Sequence, residues 1–185
     1  ETSASALAWA LYLVALYPEW QDRIAEEERV LSDCDFAVMA QLSAARGVFR
    51  ETLRLYPPIT FMPRVAMRSG KLGKMRFRRG ALIMIAPWIV HRHSEYWPEA
   101  DAFDPYRFMP ERERDVVPGT YIPFGLGPHT CIGAGFAHAE SALILASVAR
   151  RFDLFIEDGD AVRPAARLTT RPRDEIMMTV RARPN

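Results

Sequence analysis

The residues best suited to chemistry stand together in Phe124-Gly125-Leu126-Gly127-Pro128-His129-Thr130-Cys131-Ile132-Gly133. Three glycines surround one cysteine. Glycine lets the backbone turn tightly and lets amides approach an anion closely. Cys131 sits at the start of an expected helix, where partial positive charge favours thiolate over thiol. Its neighbours Phe124, Leu126 and Ile132 are apolar. A thiolate held by backbone amides in an apolar pocket suits a single soft metal ligand. A lone cysteine otherwise reads as a small buried hydrophobe. The five fixed positions of F-G-x-G-x-x-x-C-x-G weigh against that. Their chance occurrence in a chain of this length and composition is about 10⁻⁵.

Other candidates are sparser. Glu51 and Arg54 lie at i,i+3, on one face if helical, and an arginine fork can engage a carboxylate through two bonds. The plain alternative is a solvated surface pair. Glu1-Thr2 offers an acid beside a hydroxyl, which could relay protons, but a Thr-Ser pair at a helix start is also an ordinary cap. His91 and His93 would share a face in an extended chain, as metal pairs do, yet no acid-rich or cysteine cluster lies nearby in sequence. His138 reads as an ordinary helix residue. Arg46, Arg50 and Arg54 fall along one helical stripe, and Lys71, Lys74, Arg76, Arg78 and Arg79 cluster; charge runs usually mark solvated faces.

These residues need elements to position them. Residues 2–17 are apolar nearly all round, as in a central helix touched on every side. Pro18 suits the start of a second helix, which ends near Leu31. A third helix is expected from about Phe36 to Leu55, stopped by Tyr56-Pro57-Pro58. A small antiparallel sheet is expected from strands at 64–68, 75–78 and 81–86, punctuated by Ser69-Gly70, Gly73 and Arg79-Gly80. Residues 87–128 read as short helices and long coil, a length that implies function. A helix from Ile132 to Phe152 follows, then strands at 152–156 and 175–180 flanking a turn at 168–172. The pattern is α+β and mainly helical.

Composition sets limits. The chain has 185 residues, enough for one domain with a sizeable core. Charge is balanced, 24 basic against 23 acidic side chains, which disfavours a nucleic-acid binder relying on bulk charge. Cys34 and Cys131 are the two cysteines, too few for a multi-disulfide scaffold or a four-cysteine metal site. The longest apolar run, Ala6 to Tyr17, is too short for an ordinary membrane span.

With the cysteine loop goes a resemblance. F-G-x-G-x-x-x-C-x-G is similar to the haem-binding loop of the cytochrome P450 superfamily, the haem-thiolate monooxygenases. Glu51-Thr52-Leu53-Arg54 resembles that family's E-x-x-R helix, Phe103-Asp104-Pro105-Tyr106-Arg107-Phe108 its F-x-P-x-R-F segment, and Glu1-Thr2 the end of its acid-plus-threonine motif. The resemblance implies that Cys131 is the axial ligand of a haem b iron. Phe124 packs beside the sulfur, and Gly125, Gly127 and Gly133 shape the loop. It implies a buried structural triad of Glu51, Arg54 and Arg107, and a proton-relaying Thr2 with Glu1 as its acidic neighbour. His129 stands where the family usually has Arg; with Arg64 it is expected to reach a haem propionate. Residues 59–65 and 168–170 are expected to edge the substrate pocket, where Ile59, Phe61, Met62 and Leu168 hint at a hydrophobic substrate.

The implied function is hydroxylation of a hydrophobic small molecule with O₂ and two electrons from a ferredoxin or flavoprotein reductase. Alternatives are a peroxide-using or peroxide-rearranging haem-thiolate enzyme, or a fragment that binds no haem by itself. On the same resemblance, residues 1–185 are expected to be the C-terminal portion of a single cytochrome P450 domain, its N-terminal portion absent. A soluble cytoplasmic protein is the expectation, with an upstream membrane anchor left open. No nucleic-acid partner and no particular oligomeric state are implied.

Overall fold

The computed structural model describes residues 1–30, 42–156, 162–166 and 169–184. Helix α1 (Thr2–Leu16) buries Ala6, Trp9, Ala10, Tyr12, Leu13, Val14 and Ala15, so its lack of a polar face is the signature of a central element. It packs against α2 (Pro18–Val30), α3 (Ser43–Leu55) and α5 (Ala134–Arg151). Trp9 stacks flat on Tyr56 at 3.8 Å, fixing the end of α3 against α1.

Polar side chains from α2 complete its neighbours' backbones. The carboxylate of Glu27 accepts hydrogen bonds from the Ser43 and Ala44 amides, at 2.6 and 2.9 Å. It thereby caps α3, whose own N-cap residue, Leu42, offers no side-chain bond. Buried Gln21 donates to the carbonyls of Val14 and Leu154 and accepts the Leu154 amide, acting as a strand partner where none exists.

The strands form four two-stranded antiparallel ladders. Strand β1 (Met62–Val65) pairs β4 (Leu82–Ile85), and β2 (Gly70–Leu72) pairs β3 (Met75–Phe77). Strand β5 (Phe152–Phe155) pairs β8 (Thr179–Ala182), and β6 (Pro164–Ala166) pairs β7 (Thr170–Pro172). The expected single sheet is therefore split. The expected turn at 168–172 is in part strand β7, because the Thr170 amide also bonds the Pro58 carbonyl and holds that segment extended. The expected strand at 175–180 starts only at Thr179. Residues 36–41 of the expected third helix, Cys34 and Leu168 lie outside the described residues. Between β4 and α5 the chain forms helix α4 (Pro87–Val90) and 3₁₀ turns at Pro105–Phe108, Glu113–Asp115 and Gly127–His129. No helix among the described residues is long and apolar enough to cross a membrane.

Candidate functional site: a thiol on an apolar cavity and the buried clamp behind it

Cys131 is a free, exposed cysteine on the wall of a cavity of about 340 Å³. Its amide donates to the Phe124 carbonyl at 2.9 Å, closing the loop that contains Gly125 and Gly127. Gly125 has φ +77°, a conformation that side chains rarely adopt, and a Cβ there would also meet the His129 carbonyl and Met62 Sδ at 3.5 Å. A Cβ on Gly133 would stand 3.8 Å from Cys131 Sγ, in the space beside the thiol. Helix α5 begins at Ala134 with Gly133 as its N-cap, so Cys131 lies just before the helix and not within its first turn. Among the described residues no N–H donates to Sγ, so the amide cradle expected around the sulfur is absent.

The cavity gathers residues from five parts of the chain, one of them helix α5, which contributes Phe136 and Ala137. Thr2 and Ala6 come from α1, Phe49 and Leu53 from α3, Ile59 and Met62 from the stretch leading into and opening β1. Phe124, His129, Cys131 and Gly133 come from the cysteine loop. The lining is mostly apolar; Thr2, Ser3, His129 and Cys131 supply its polar side chains. Other expected site residues stand elsewhere. Glu1 is outside the lining, its carboxylate accepting the Thr169 hydroxyl at 3.1 Å. Thr2 and Ser3 make no side-chain cap of α1, whose N-cap is Glu1. Half-buried Arg64 lies outside the lining and donates to the Pro63 carbonyl. Gly127 has φ +71° and shapes the 3₁₀ turn without lining the cavity.

Behind the cavity, Glu51, Arg54 and Arg107 come together. Arg54 is fully buried and engages Glu51 through Nε and Nη2, both at 2.7 Å. Its remaining donors reach the carbonyls of His91, Ala100 and Ala102. Five donors find five acceptors, as a buried guanidinium requires. Glu51 also accepts the Asp104 amide at 2.9 Å, and Arg107 Nε lies 3.6 Å from its Oε1. Arg107 Nη2 holds the carbonyls of Pro98 and Glu99. Burial pushes the Glu51 carboxyl up from its ordinary value, while Arg54, the Asp104 amide and Arg107 pull it down. Of the arginine stripe only Arg46 is exposed to solvent. Arg54 is buried, and Arg50 pairs with Glu113 at 2.6 Å and lies over the Phe108 ring.

Two histidines have roles that the sequence did not disclose. His91 is fully buried in the structure, and both ring nitrogens are engaged. Nε2 accepts the Ile122 amide at 2.8 Å, which makes Nδ1 the protonated nitrogen, donating to the Arg54 carbonyl at 3.2 Å. The ring therefore ties α3 to the entry of the cysteine loop. Burial pushes its pKa down to about 4, with the charges of Arg54 and Arg92 acting in the same direction. His138 sits edge-on to Phe49 and Phe124, and burial also holds it down to about 4. It supports the ring that packs near the thiol. No local pattern points to His91, whose partners Arg54 and Ile122 stand 37 and 31 residues away.

Fold and site together define an α+β chain that presents one thiol to an apolar hollow, backed by a buried ion cluster in which every donor of Arg54 is bonded. Residues 1–180 match the family model described as Cytochrome P450, and the chain belongs to that family. It is 36% identical over 172 residues to cyclooctatin synthase of Streptomyces melanosporofaciens, covering 91% of this chain and 38% of that protein. It is 33% identical over 187 residues to cytokinin hydroxylase of Arabidopsis thaliana, covering 98% and 36%. It is 30% identical over 191 residues to the human ultra-long-chain fatty acid omega-hydroxylase, covering 100% and 36%. The chain thus spans little more than a third of the length of these relatives. A crystal structure of a cytochrome P450 superposes with TM-score 0.90 and 30% identity, over 99% of this chain and 42% of that one. The family's cofactor is haem.

Proposed function

We propose that this chain is the thiolate-bearing, C-terminal part of a monooxygenase that hydroxylates a hydrophobic small molecule. Cys131 would hold its haem b, supplying the thiolate that ligates the iron. The observation that carries the reading is an exposed thiol on an apolar cavity that Thr2 also lines. The fit is chemical. No group of three or more His, Cys, Asp or Glu able to hold a metal ion occurs among the described residues, so one protein ligand requires a metal that brings its others with it. A macrocycle does so, and an apolar wall suits its faces.

When bound, the haem supplies dioxygen activation, with the thiolate pushing electron density toward O–O cleavage. The chain's own residues hold, shield and feed that site. Cys131 Sγ is the ligand atom, and Gly133 leaves the space beside it open. Phe124, braced by His138, excludes water from one side. Thr2, on the cavity wall, would pass protons, with Glu1 as the acid that supplies them once its carboxylate turns from the Thr169 hydroxyl. His129 faces the cavity as a donor for a propionate, a role Arg64 shares by turning from the Pro63 carbonyl. Ile59 and Met62 give the substrate an apolar edge. Electrons come from a ferredoxin or flavoprotein reductase.

In the complete protein, Cys131→Ala is expected to abolish the thiolate-type carbon-monoxide difference spectrum. A variant that keeps the spectrum removes Cys131 as ligand. Turnover with peroxide but none with an electron donor would transfer the reading to a peroxide-using enzyme of the same class.

A further inference from the structure

Between Thr52 and Ser94 the sequence contains no Asp or Glu, yet it carries nine Lys and Arg: Arg54, Arg64, Arg68, Lys71, Lys74, Arg76, Arg78, Arg79 and Arg92. The whole chain has a net charge of +1, so this segment is a local excess and not a general bias. Six of those cations crowd the β2–β3 hairpin and its base. Among the described residues none of these six takes part in an ion pair, although ion pairs occur throughout the rest of the fold.

The register sharpens the arrangement. Leu72 faces Met75 across the two-residue turn Gly73-Lys74, and they stand 58% and 56% exposed at the tip. One step behind, Lys71 lies directly opposite Arg76. Like charges directly across a ladder repel, and here no acid offsets them. One step further, the Phe77 ring covers Gly70 and holds the hairpin together. Arg68, Arg78 and Arg79 lie at the base, about 10 Å behind the tip at the rise of a strand. Met67, 81% exposed, lies beside them. A solvated charged face has no need of large apolar side chains at its point, and an edge kept soluble by lysines has no need of them either.

We propose that the β2–β3 hairpin docks on an anionic phospholipid surface, tip first. Leu72 and Met75 enter the headgroup–acyl boundary, and Lys71, Lys74 and Arg76 form a collar at the lipid phosphates. Arg68, Arg78 and Arg79 stay in the diffuse negative layer outside. Penetration of roughly 5–10 Å, the usual depth of an interfacial element, matches the spacing between tip and base. The mode is peripheral and reversible and calls for no spanning helix.

The test is partition of the complete protein onto vesicles of phosphatidylcholine with phosphatidylserine, against vesicles of phosphatidylcholine alone. Binding is expected only with the anionic lipid and is expected to fall with salt. Each cation near such a surface is worth about fivefold in partitioning, so Lys71→Gln with Arg76→Gln should weaken binding about 25-fold. Leu72→Ser with Met75→Ser should weaken it by about tenfold or more without changing the salt dependence. An unchanged carbon-monoxide spectrum and circular dichroism show that each variant is folded. Equal binding to both vesicle types, no binding, or variants that bind like the parent overturn the proposal. So does a loss that appears only toward an acidic protein or duplex nucleic acid while vesicle binding is unaltered.

Discussion

The two halves of the candidate site treat polar groups in opposite ways. In the clamp, every donor of the Arg54 guanidinium is matched, and the carboxylate between Arg54 and Arg107 also takes a backbone amide. At the cavity, the thiol of Cys131 is exposed and free, with no hydrogen bond among the described residues, on a wall of mainly apolar side chains. A charge removed from water must be satisfied by the chain itself, or the fold is lost. A site meant for an outside group must be left incomplete, with its shape and its one ligand ready. The cavity wall is shared with the core, since Ala6, Phe49 and Leu53 line it while almost fully buried, and rigid support without self-satisfaction is the general requirement for a ligand site.

The largest effect should come from breaking the clamp. Arg54→Leu leaves the Glu51 carboxylate buried without its bidentate partner and orphans the carbonyls of His91, Ala100 and Ala102. A loss of about 3–5 kcal/mol is expected, read as a fall in urea midpoint, and holoprotein yield should drop with it. A variant with the parent's midpoint and yield would show that the clamp is dispensable and erase the contrast with the cavity.

Next in size is acid. His91 is neutral in the fold, with its pKa near 4, and titrates near 6.5 once unfolded. Between those values the unfolded chain binds more protons than the folded one. The histidine therefore costs nothing above pH 6.5, and stability drains away as pH falls through the window toward 4. The full loss is about 3 kcal/mol. Protonation converts Nε2 from acceptor to donor against the Ile122 amide, and it sets a new cation beside Arg54 and Arg92. Urea unfolding at pH 7 and pH 4 should show His91→Phe less acid-sensitive than the parent by that amount. His138 titrates in the same range and remains in both proteins, so the difference belongs to His91. Equal acid sensitivity would detach the loop from this ring.

The sequence disclosed much of this unevenly. α1 was legible because a helix without a polar face must be covered on every side, and α2 because Pro18 marks its start. The cysteine loop, Glu51-Thr52-Leu53-Arg54 and Phe103–Phe108 were legible because chemistry fixes residue types at fixed spacings. What stayed hidden depends on contacts distant in sequence. Glu27 caps α3 from another helix, Gln21 replaces a strand, and His91 bridges two elements 31 and 37 residues away. No local pattern carries such information. The same limit misassigned Thr170–Pro172 as a turn: what holds it extended is the Pro58 carbonyl, over a hundred residues earlier. Arg50 and Arg54 looked like a solvated stripe because periodicity shows which residues share a face but not what covers it.

The smallest effect should be the most discriminating. Cys131→Ser changes one exposed atom that makes no hydrogen bond, at a loop whose shape is set by backbone bonds and by Gly125. In the haem-free protein its stability should stay within about 0.5 kcal/mol of the parent, the range of a surface substitution. In the haem-loaded protein the same change should cost the added stability that a ligand bound to the folded state alone confers. A thermal-shift comparison of the two variants with and without haem measures both terms. If the serine variant is already destabilised without haem, the thiol belongs to the self-satisfied part of the fold, and the division between clamp and cavity fails. If haem stabilises both variants alike, the cavity holds the cofactor by its walls, and the sulfur adds nothing to the folded state.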